Sequence, residues 1–333
     1  MHQYVKFILL TICLILFVSC GQKDKDEDRP IISVIPKGTT HVFWQSVHAG
    51  AVKASIESNV EIIWVGTEKE DDRQQQIALV DNQIINGVDG IVLAPLDAMA
   101  LRRPVKNAVQ NNIPVIIIDS GLENAEDLYT SFIATDNRNG GRLAGKKLAN
   151  MLNGKGKVIL LRYNEGSAST ENREEGFLEA IKEFPGIKVV SSEQYGGVTR
   201  ASAQQVSENL LLRFKDSAGN LTIDGIFTPN TSTTYGMLQG LKRQNLAGKV
   251  IFVGFDAEEP LINGLRNGDI HGLVVQDPFN MGYQGVQMMV QKLNGKSVKK
   301  RIDTGVTFVT PEDLERPEVQ ELINPDLEKW LKQ

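Results

Sequence analysis

From Ile31 onward, short apolar runs alternate with segments whose apolar residues recur every three or four positions, and this rhythm predicts alternating strands and helices. Ile31 to Ile35, Val60 to Val65, Gly90 to Leu93 and Pro114 to Ile118 are apolar along their length apart from Ser33 and Glu61, much as strands buried on both faces are. Between them, Phe43 to Ser58, Asp71 to Asn86 and Asp97 to Asn111 read as helices. In the second helix Ile77, Val80, Ile84 and Ile85 form the apolar stripe, Asp72, Arg73, Gln75 and Gln76 form the polar face, and Asn86-Gly87 supplies a C-terminal stop. The alternation resumes with strands expected near Val158 to Leu161, Lys188 to Val190, Gly225 to Thr228, Val250 to Gly254 and Gly272 to Val275. Right-handed crossovers then make each half a parallel sheet sandwiched by helices, so the expectation is an α/β protein of two similar, Rossmann-like lobes.

Polar residues punctuate this pattern. Asp119, Arg173, Asn230, Asp256 and Gln276 each stand, on this reading, at or just beyond the carboxyl end of an apolar run. Ligands of open α/β sheets sit outside the carboxyl ends of the strands, so groups delivered there by several strands converge on one small molecule. Carboxylate, guanidinium and amide together offer donors and acceptors. That mixture suits an uncharged, hydroxyl-rich molecule better than a phosphate, which calls for several cations or a Gly-rich cradle.

The N-terminus has a different pattern. His2 to Lys6 make a short, largely polar and weakly basic start, Phe7 to Val18 are apolar apart from Thr11, and Ser19-Cys20 close the stretch with small residues. This reads as a secretion signal over residues 1–19, since about 12 apolar residues are too few for a spanning helix, which needs roughly 20. The run Lys23 to Arg29 contains no apolar residue and is expected to be a solvated tether, with folding starting at about Ile31. Of the two cysteines, Cys13 lies in the signal, which leaves Cys20 alone and disfavours disulfide and thiol chemistry.

Composition narrows the function. The chain has 41% hydrophobic and 23% charged residues and a formal net charge of -5, ordinary for a soluble globular protein, and its length suggests two domains. Without a basic excess or a helix-turn-helix segment, nucleic acid is not an expected partner. Outside the signal the histidines are His41, His48 and His271, with no metal-ligand spacing, so neither a metal nor a cofactor is expected. No Gly-x-Ser-x-Gly elbow, dinucleotide turn or Walker loop is present. Glu165 with Glu171, or Asp119 with Asp256, could be put forward as a glycosidase pair, but nothing else in the chain supports turnover and no enzymatic activity is expected.

Several segments carry a family resemblance in order: Ile35-Pro36-Lys37 with Phe43-Trp44, Pro114 to Asp119, Ile133 to Asn137 with Gly140-Gly141, Asn172 to Phe177, Ile226 to Asn230, Val253 to Asp256, and Val275 to Pro278. With these the chain resembles the type I periplasmic binding proteins of the ribose-binding, sugar ABC-transporter group. The resemblance implies a cleft between lobes joined by a three-stranded hinge near Asp136, Gln276 and Gly305. It implies discontinuous lobes, residues 31–135 plus 277–305 and residues 136–276 plus 306–333. It also implies a monosaccharide ligand, an ABC permease as membrane partner, and a monomer. Val18-Ser19-Cys20-Gly21 is similar to the lipobox of bacterial lipoproteins, with Phe17 where leucine is usual; lipidated Cys20 and a tether over residues 20–30 would anchor the chain to a membrane of the cell envelope.

On this basis the ligand-binding candidates are Lys37, His41, Phe43, Trp44, Asp119, Arg173, Asn230, Asp256 and Gln276. Asp119 and Asp256 can each accept two hydrogen bonds from neighbouring hydroxyls, and Arg173 can donate in a fixed fork. Phe43 and Trp44 offer flat faces to the C–H side of a sugar ring. His41 departs from the asparagine usual in the family, and Lys37 could receive an acidic sugar. Duller roles compete: Asp119, Asp136 and Asn230 as helix or turn caps, Arg173 as a surface partner of Glu174 or Glu175, and Phe43 or Trp44 as core. Trp64 and Tyr195 read as packing residues, and Tyr163 is open. Ile35-Pro36-Lys37, Asp119-Ser120 and Thr228-Pro229-Asn230 are also similar to binding proteins for a furanosyl autoinducer, although Glu171-Asn172 replaces the expected acid and amide. A ligand-sensing lipoprotein partnering a receptor kinase is the remaining alternative.

Overall fold

The computed structural model describes residues 29–332. The signal, Cys20 and most of the tether therefore lie outside the described residues. Twelve strands fall into two six-stranded sheets. The first contains β1 (Ile31–Ile35), β2 (Glu61–Trp64), β3 (Gly90–Leu93), β4 (Val115–Ile118), β5 (Ser131–Ala134) and β11 (Arg301–Asp303), in the order β11-β5-β4-β3-β1-β2. The second contains β6 (Lys155–Arg162), β7 (Gly186–Tyr195), β8 (Gly225–Phe227), β9 (Ile251–Phe255), β10 (Gly272–Val275) and β12 (Thr307–Val309), in the order β12-β10-β9-β8-β6-β7. The orders are superimposable, so β4 corresponds to β9 and β5 to β10. The first sheet is wholly parallel, whereas β12 runs antiparallel to β10, a departure from the expected all-parallel sheets. The short strands β11 and β12 had no separate apolar signal because they are half-exposed sheet edges, whereas β5 is an internal, mostly buried strand of only four residues.

Helices connect the strands: α1 (Val42–Ser58), α2 (Arg73–Ile85), α3 (Arg102–Gln110), α4 (Asn137–Met151), α5 (Ala168–Lys182), α6 (Arg200–Leu212), α7 (Thr231–Arg243), α8 (Glu259–Arg266), α9 (Pro278–Leu293), α10 (Pro317–Ile323) and α11 (Glu328–Leu331). Each sheet has an apolar cluster on either face: Ile35, Leu93 and Ile117 on one face of the first, Val34, Val92 and Ile116 on the other. The second repeats this with Ile159 and Ile226 opposite Leu160 and Phe227. Two boundaries shift from the sequence reading. Asp97 accepts from the Met99 and Ala100 amides at 2.9 and 2.7 Å, so a turn holds residues 97–101 and α3 starts at Arg102. In α2 the stripe is rotated: Ile85 is 81% exposed, while Gln76 is fully buried. Its amide donates to the Pro36 and Ala94 carbonyls and accepts from Leu96 N–H, satisfying backbone that β1 and β3 leave unpaired at their ends.

The chain passes from one sheet to the other between β5 and α4, between β10 and α9, and between β11 and β12. Asp136 and Asp277 cap α4 and α9 by accepting from Asn139 N–H at 3.1 Å and Asn280 N–H at 2.9 Å. Each of these helices then packs on the sheet opposite to the strand that precedes it, α4 beside α5 and α9 beside α1. Both contacts are backbone-close. A β-carbon at Gly141 would lie 1.9 Å from the Arg173 carbonyl oxygen, and one at Gly282 would lie 1.9 Å from that of Val47. The first and third crossings are tied together: Asp136 N–H donates to Asp303 at 3.1 Å and Thr135 Oγ1 to the Gly305 carbonyl at 3.0 Å. Beyond β12, α10 buries Val319 in the second sheet's core, but α11 packs against α1, with Lys53 over the Trp330 ring. The last residues thus return to the first lobe, unlike the single assignment of residues 306–333 to the second.

Candidate functional site

Asp119 and Asp256 each follow directly on β4 and β9, the corresponding strands of the two sheets. Their amides extend the ladder by one bond, Asp119 N–H to Ile133 O at 3.0 Å and Asp256 N–H to Val274 O at 2.8 Å. Both then turn into left-handed backbone, with φ of 60° and 69°. Aspartate tolerates that region better than most residues, and its occurrence at both strand ends aims two carboxylates into the space between the sheets. There they line one cavity of about 40 Å³ together with Lys37, His41, Phe43, Trp44, Arg173, Asn230 and Gln276. All nine residues singled out from the sequence meet at this place. Glu70, Tyr163, Ser167, Ser169, Thr170, Thr231 and Ser232 complete the wall.

On the first-sheet side, Lys37 lies two residues past β1 and is 4% exposed. Its Nζ is 2.8 Å from Asp119 Oδ2 and donates to Ser169 Oγ at 2.9 Å, which neutralises the charge and leaves Lys37 ill suited to an acidic sugar. Phe43 and Trp44 sit at the start of α1 with their rings edge to face, centroids 4.9 Å apart. Trp44 belongs to the core and is nearly buried, and its Nε1 donates to Glu70 Oε1 at 2.7 Å. The other Glu70 oxygen accepts from Tyr163 OH at 2.8 Å, a bond between the lobes. Burial first, and the Glu70 carboxylate second, push the Tyr163 phenol well above its ordinary pKa, so it remains a donor. His41 Nε2 is 4.0 Å from Glu70.

The second-sheet side centres on Arg173, 2% exposed. It does not stand at a strand end, as expected, but inside α5, eleven residues past the last residue of β6. Nor does it pair with Glu174 or Glu175. Its Nε donates to Asn137 Oδ1 at 2.8 Å, one terminal nitrogen to the Pro229 carbonyl at 2.9 Å and the other to Gln276 Oε1 at 2.7 Å. The plane lies over the Phe255 ring at 4.0 Å. Burial lowers its pKa, against the opposing pull of Asp256, Asp119 and Glu174. Gln276 Nε2 donates in turn to Asp256 Oδ1 at 2.6 Å, while Oδ2 of Asp256 accepts from Thr231 N–H and Oγ1 at 2.9 and 2.8 Å. These bonds use three of the five guanidinium donors and leave two for a ligand. Asn230 caps α7 through Thr233 N–H at 3.2 Å, and its Oδ1 also takes the Thr233 hydroxyl. It lines the cavity as well, so capping the helix and facing the cavity are compatible at this position.

Other residues separate from the site. Glu171 accepts from Gly166 N–H at 2.7 Å, and neither it nor Glu165 lines the cavity. Tyr195 is 43% exposed, and Trp64 stacks on His48 at 4.3 Å. Among the described residues no group of three or more His, Cys, Asp or Glu could hold a metal ion, and no helix is long and apolar enough to cross a membrane.

Two lobes of mostly parallel sheet, three crossings and a polar cavity between corresponding strand ends define a two-lobed binding protein. The chain belongs to the periplasmic binding protein domain family, which it matches over residues 32–297. It is 26% identical over 313 residues to the D-ribose/D-allose-binding protein of Pseudomonas aeruginosa, covering 91% of this chain and 96% of that one. A carbohydrate transporter solute-binding protein from Agrobacterium radiobacter, solved with D-arabinose, superposes with a TM-score of 0.84 and 32% identity, over 90% of this chain and all of that one (100%). An ABC transporter solute-binding protein from Agrobacterium vitis, solved with D-fucose, gives 0.83 and 34%, over 88% and 99%. These are substrate-binding transport proteins of type I, not enzymes.

Proposed function

We propose that this chain binds a monosaccharide, a pentose or hexose, in the cavity between the sheets and presents it to an ABC-type permease. The observation that carries the reading is the convergence of Asp119, Asp256 and Arg173, from both lobes, on one space. A hydrogen bond to a charged group contributes about 1.5–3 kcal/mol net. Three or four of them therefore suffice for the roughly 8 kcal/mol of a micromolar complex. The cavity of about 40 Å³ holds only a few water-sized spheres, so a sugar ring can enter only when the lobes part. Hinge closure follows, with residues 31–135 plus 277–305 and residues 136–276 plus 306–323 moving about Asp136, Gln276 and Gly305; periplasmic binding proteins are themselves a standard example of this motion. Ligand favours the closed form because only there does it touch both lobes. The closed form is what the permease recognises, and ATP is hydrolysed by another chain.

A monosaccharide fits better than the furanosyl autoinducer, because the lysine that a compact anionic or diol ligand would use is held by Asp119. Export to the periplasm or cell envelope, cleavage after residue 19, lipidation of Cys20 and a monomeric state complete the proposal, on the N-terminal pattern and the family resemblance. Isothermal titration of the purified chain against pentoses and hexoses tests it: micromolar binding to at least one is expected, and no heat from the whole panel overturns it. Permease and ATPase genes adjacent to this one would support uptake, whereas a receptor kinase gene would support sensing.

A further inference from the structure

Beside the sugar cavity lies a second, larger chamber of about 480 Å³. The two spaces share Phe43, Thr231, Asp256 and Gln276, so whatever is held by the strand-end carboxylate of the second lobe faces the chamber too. Its walls come from five places: the start of α1 in the first lobe, Thr231 at the start of α7, the β9–α8 loop and α8 in the second, the β10–α9 crossing, and residues 320–327. The last wall lies beyond residue 297, where the match to the family domain stops.

Two lining residues carry buried polar atoms without a hydrogen-bond partner, Ser46 Oγ and Glu258 Oε1. Ser46 is 3% and Glu258 4% exposed, and Glu258 uses its other oxygen on Arg200. Both atoms are shielded from the chamber's interior, so they mark a strained wall and are not contacts that the wall offers to a ligand. Asn263, Gln320 and Asn324 add amides, and Ile262, Leu322 and Ile323 supply an apolar surface. These amides and the exposed Glu259 carboxylate beside a short apolar wall match the two sides of a second sugar ring. Charge sets a limit on the occupant. With Glu258 already paired to Arg200, Asp256 and Glu259 face one lining guanidinium, Arg266, and the negative surplus disfavours a phosphate or uronate.

We infer that the chamber is a second subsite, so that besides the monosaccharide proposed above the chain accepts a neutral disaccharide or glycoside whose first ring occupies the cavity of Asp119, Asp256 and Arg173 and whose second group fills the chamber. This rests on the sugar-binding reading above. The test is isothermal titration of the purified chain with each monosaccharide of the panel and with disaccharides and phenyl glycosides built on those that bind. The variants are Asn263→Trp and Asn324→Trp, exposed positions on opposite walls whose indole would fill the chamber without disturbing the core. At least one disaccharide or glycoside should bind ten-fold or more tighter than its parent monosaccharide. Both variants should erase that margin while monosaccharide affinity stays within two-fold. If a monosaccharide binds and every extended ligand binds no better, the subsite is refuted and the sugar-binding reading stands. Loss of monosaccharide affinity in the tryptophan variants also refutes it, since the first ring would then occupy the chamber. Absence of binding to any sugar overturns both.

Discussion

Asp119 and Asp256 occupy the same place in the two lobes, one residue past corresponding strands and in the same left-handed backbone, yet they are neutralised in opposite ways. Asp119 meets a cation directly, the Lys37 ammonium at 2.8 Å, with both groups buried. Asp256 is separated from its cation by an amide: Gln276 accepts from Arg173 with its oxygen and donates to Asp256 with its nitrogen. A direct pair consumes its own charge, whereas a relayed pair keeps guanidinium and carboxylate apart and leaves each with free bonding capacity. The backbone repeat of the lobes therefore builds one closed contact and one open one. The open side is where a hydroxyl-rich ligand gains most, and it is the side that borders the larger chamber.

The largest expected effect separates the two aspartates. Asp119→Asn leaves a buried ammonium without its counter-charge and should cost about 3–5 kcal/mol of stability. Asp256→Asn removes the charge from a group whose partners are an amide and Thr231, and should cost about 1–2 kcal/mol. Urea denaturation of both variants measures the gap. Equal losses would mean that the direct and relayed arrangements are energetically alike.

A second comparison uses the crossing helices. Gly141→Ala and Gly282→Ala each drive a methyl group into a backbone carbonyl at 1.9 Å and should each destabilise by about 1–3 kcal/mol or more. They differ in what lies behind the carbonyl. Gly141 presses on Arg173 itself, so its variant should also lose sugar affinity, whereas Gly282 presses on Val47, which does not line the cavity. Titration of both variants with the same sugar checks this. Equal affinity loss would show that hinge packing, rather than the position of Arg173, governs binding.

How much of this could be read from the sequence depends on how local each placement is. Asp119, Asn230, Asp256 and Gln276 were legible because the end of an apolar run fixes the end of a strand, and the next polar residue has nowhere else to go. Arg173 was legible only through the family resemblance: the geometric reason given for it failed, since it reaches the cavity from inside α5. Glu70 was missed because it lies in the polar run Glu68 to Asp72, which looks like a solvated loop; only the fold brings Trp44 and Tyr163 to its two oxygens. Ser167 and Ser169 were missed as an ordinary helix start. A signal existed there, because they follow the first strand of the second half just as Lys37 follows the first strand of the first. Gln76 and Ile85 exchanged faces because the ends of β1 and β3 need a side-chain amide, a demand that periodicity does not register.

The smallest effect concerns a buried acid on the second lobe only. Glu174 adjoins Arg173, accepts from Tyr163 N–H at 3.0 Å and pairs with Arg162 at 2.7 Å. Burial raises its pKa from 4.5 to about 7, even though the Tyr163 amide and Arg162 pull the other way. A carboxyl whose native pKa exceeds its unfolded value favours the folded state most below the unfolded value, and that contribution is lost as pH rises through the native one. The window is thus from about 4.5 to about 7. Other acids titrate nearby, so the informative quantity is the stability difference between the wild type and Glu174→Gln, which cancels their share. That difference should fall by about 2 kcal/mol between roughly pH 5 and pH 7.5. A difference that stays flat would mean that Arg162 holds Glu174 ionised throughout, making the floor of the second lobe as directly paired as Lys37 and Asp119 make the first.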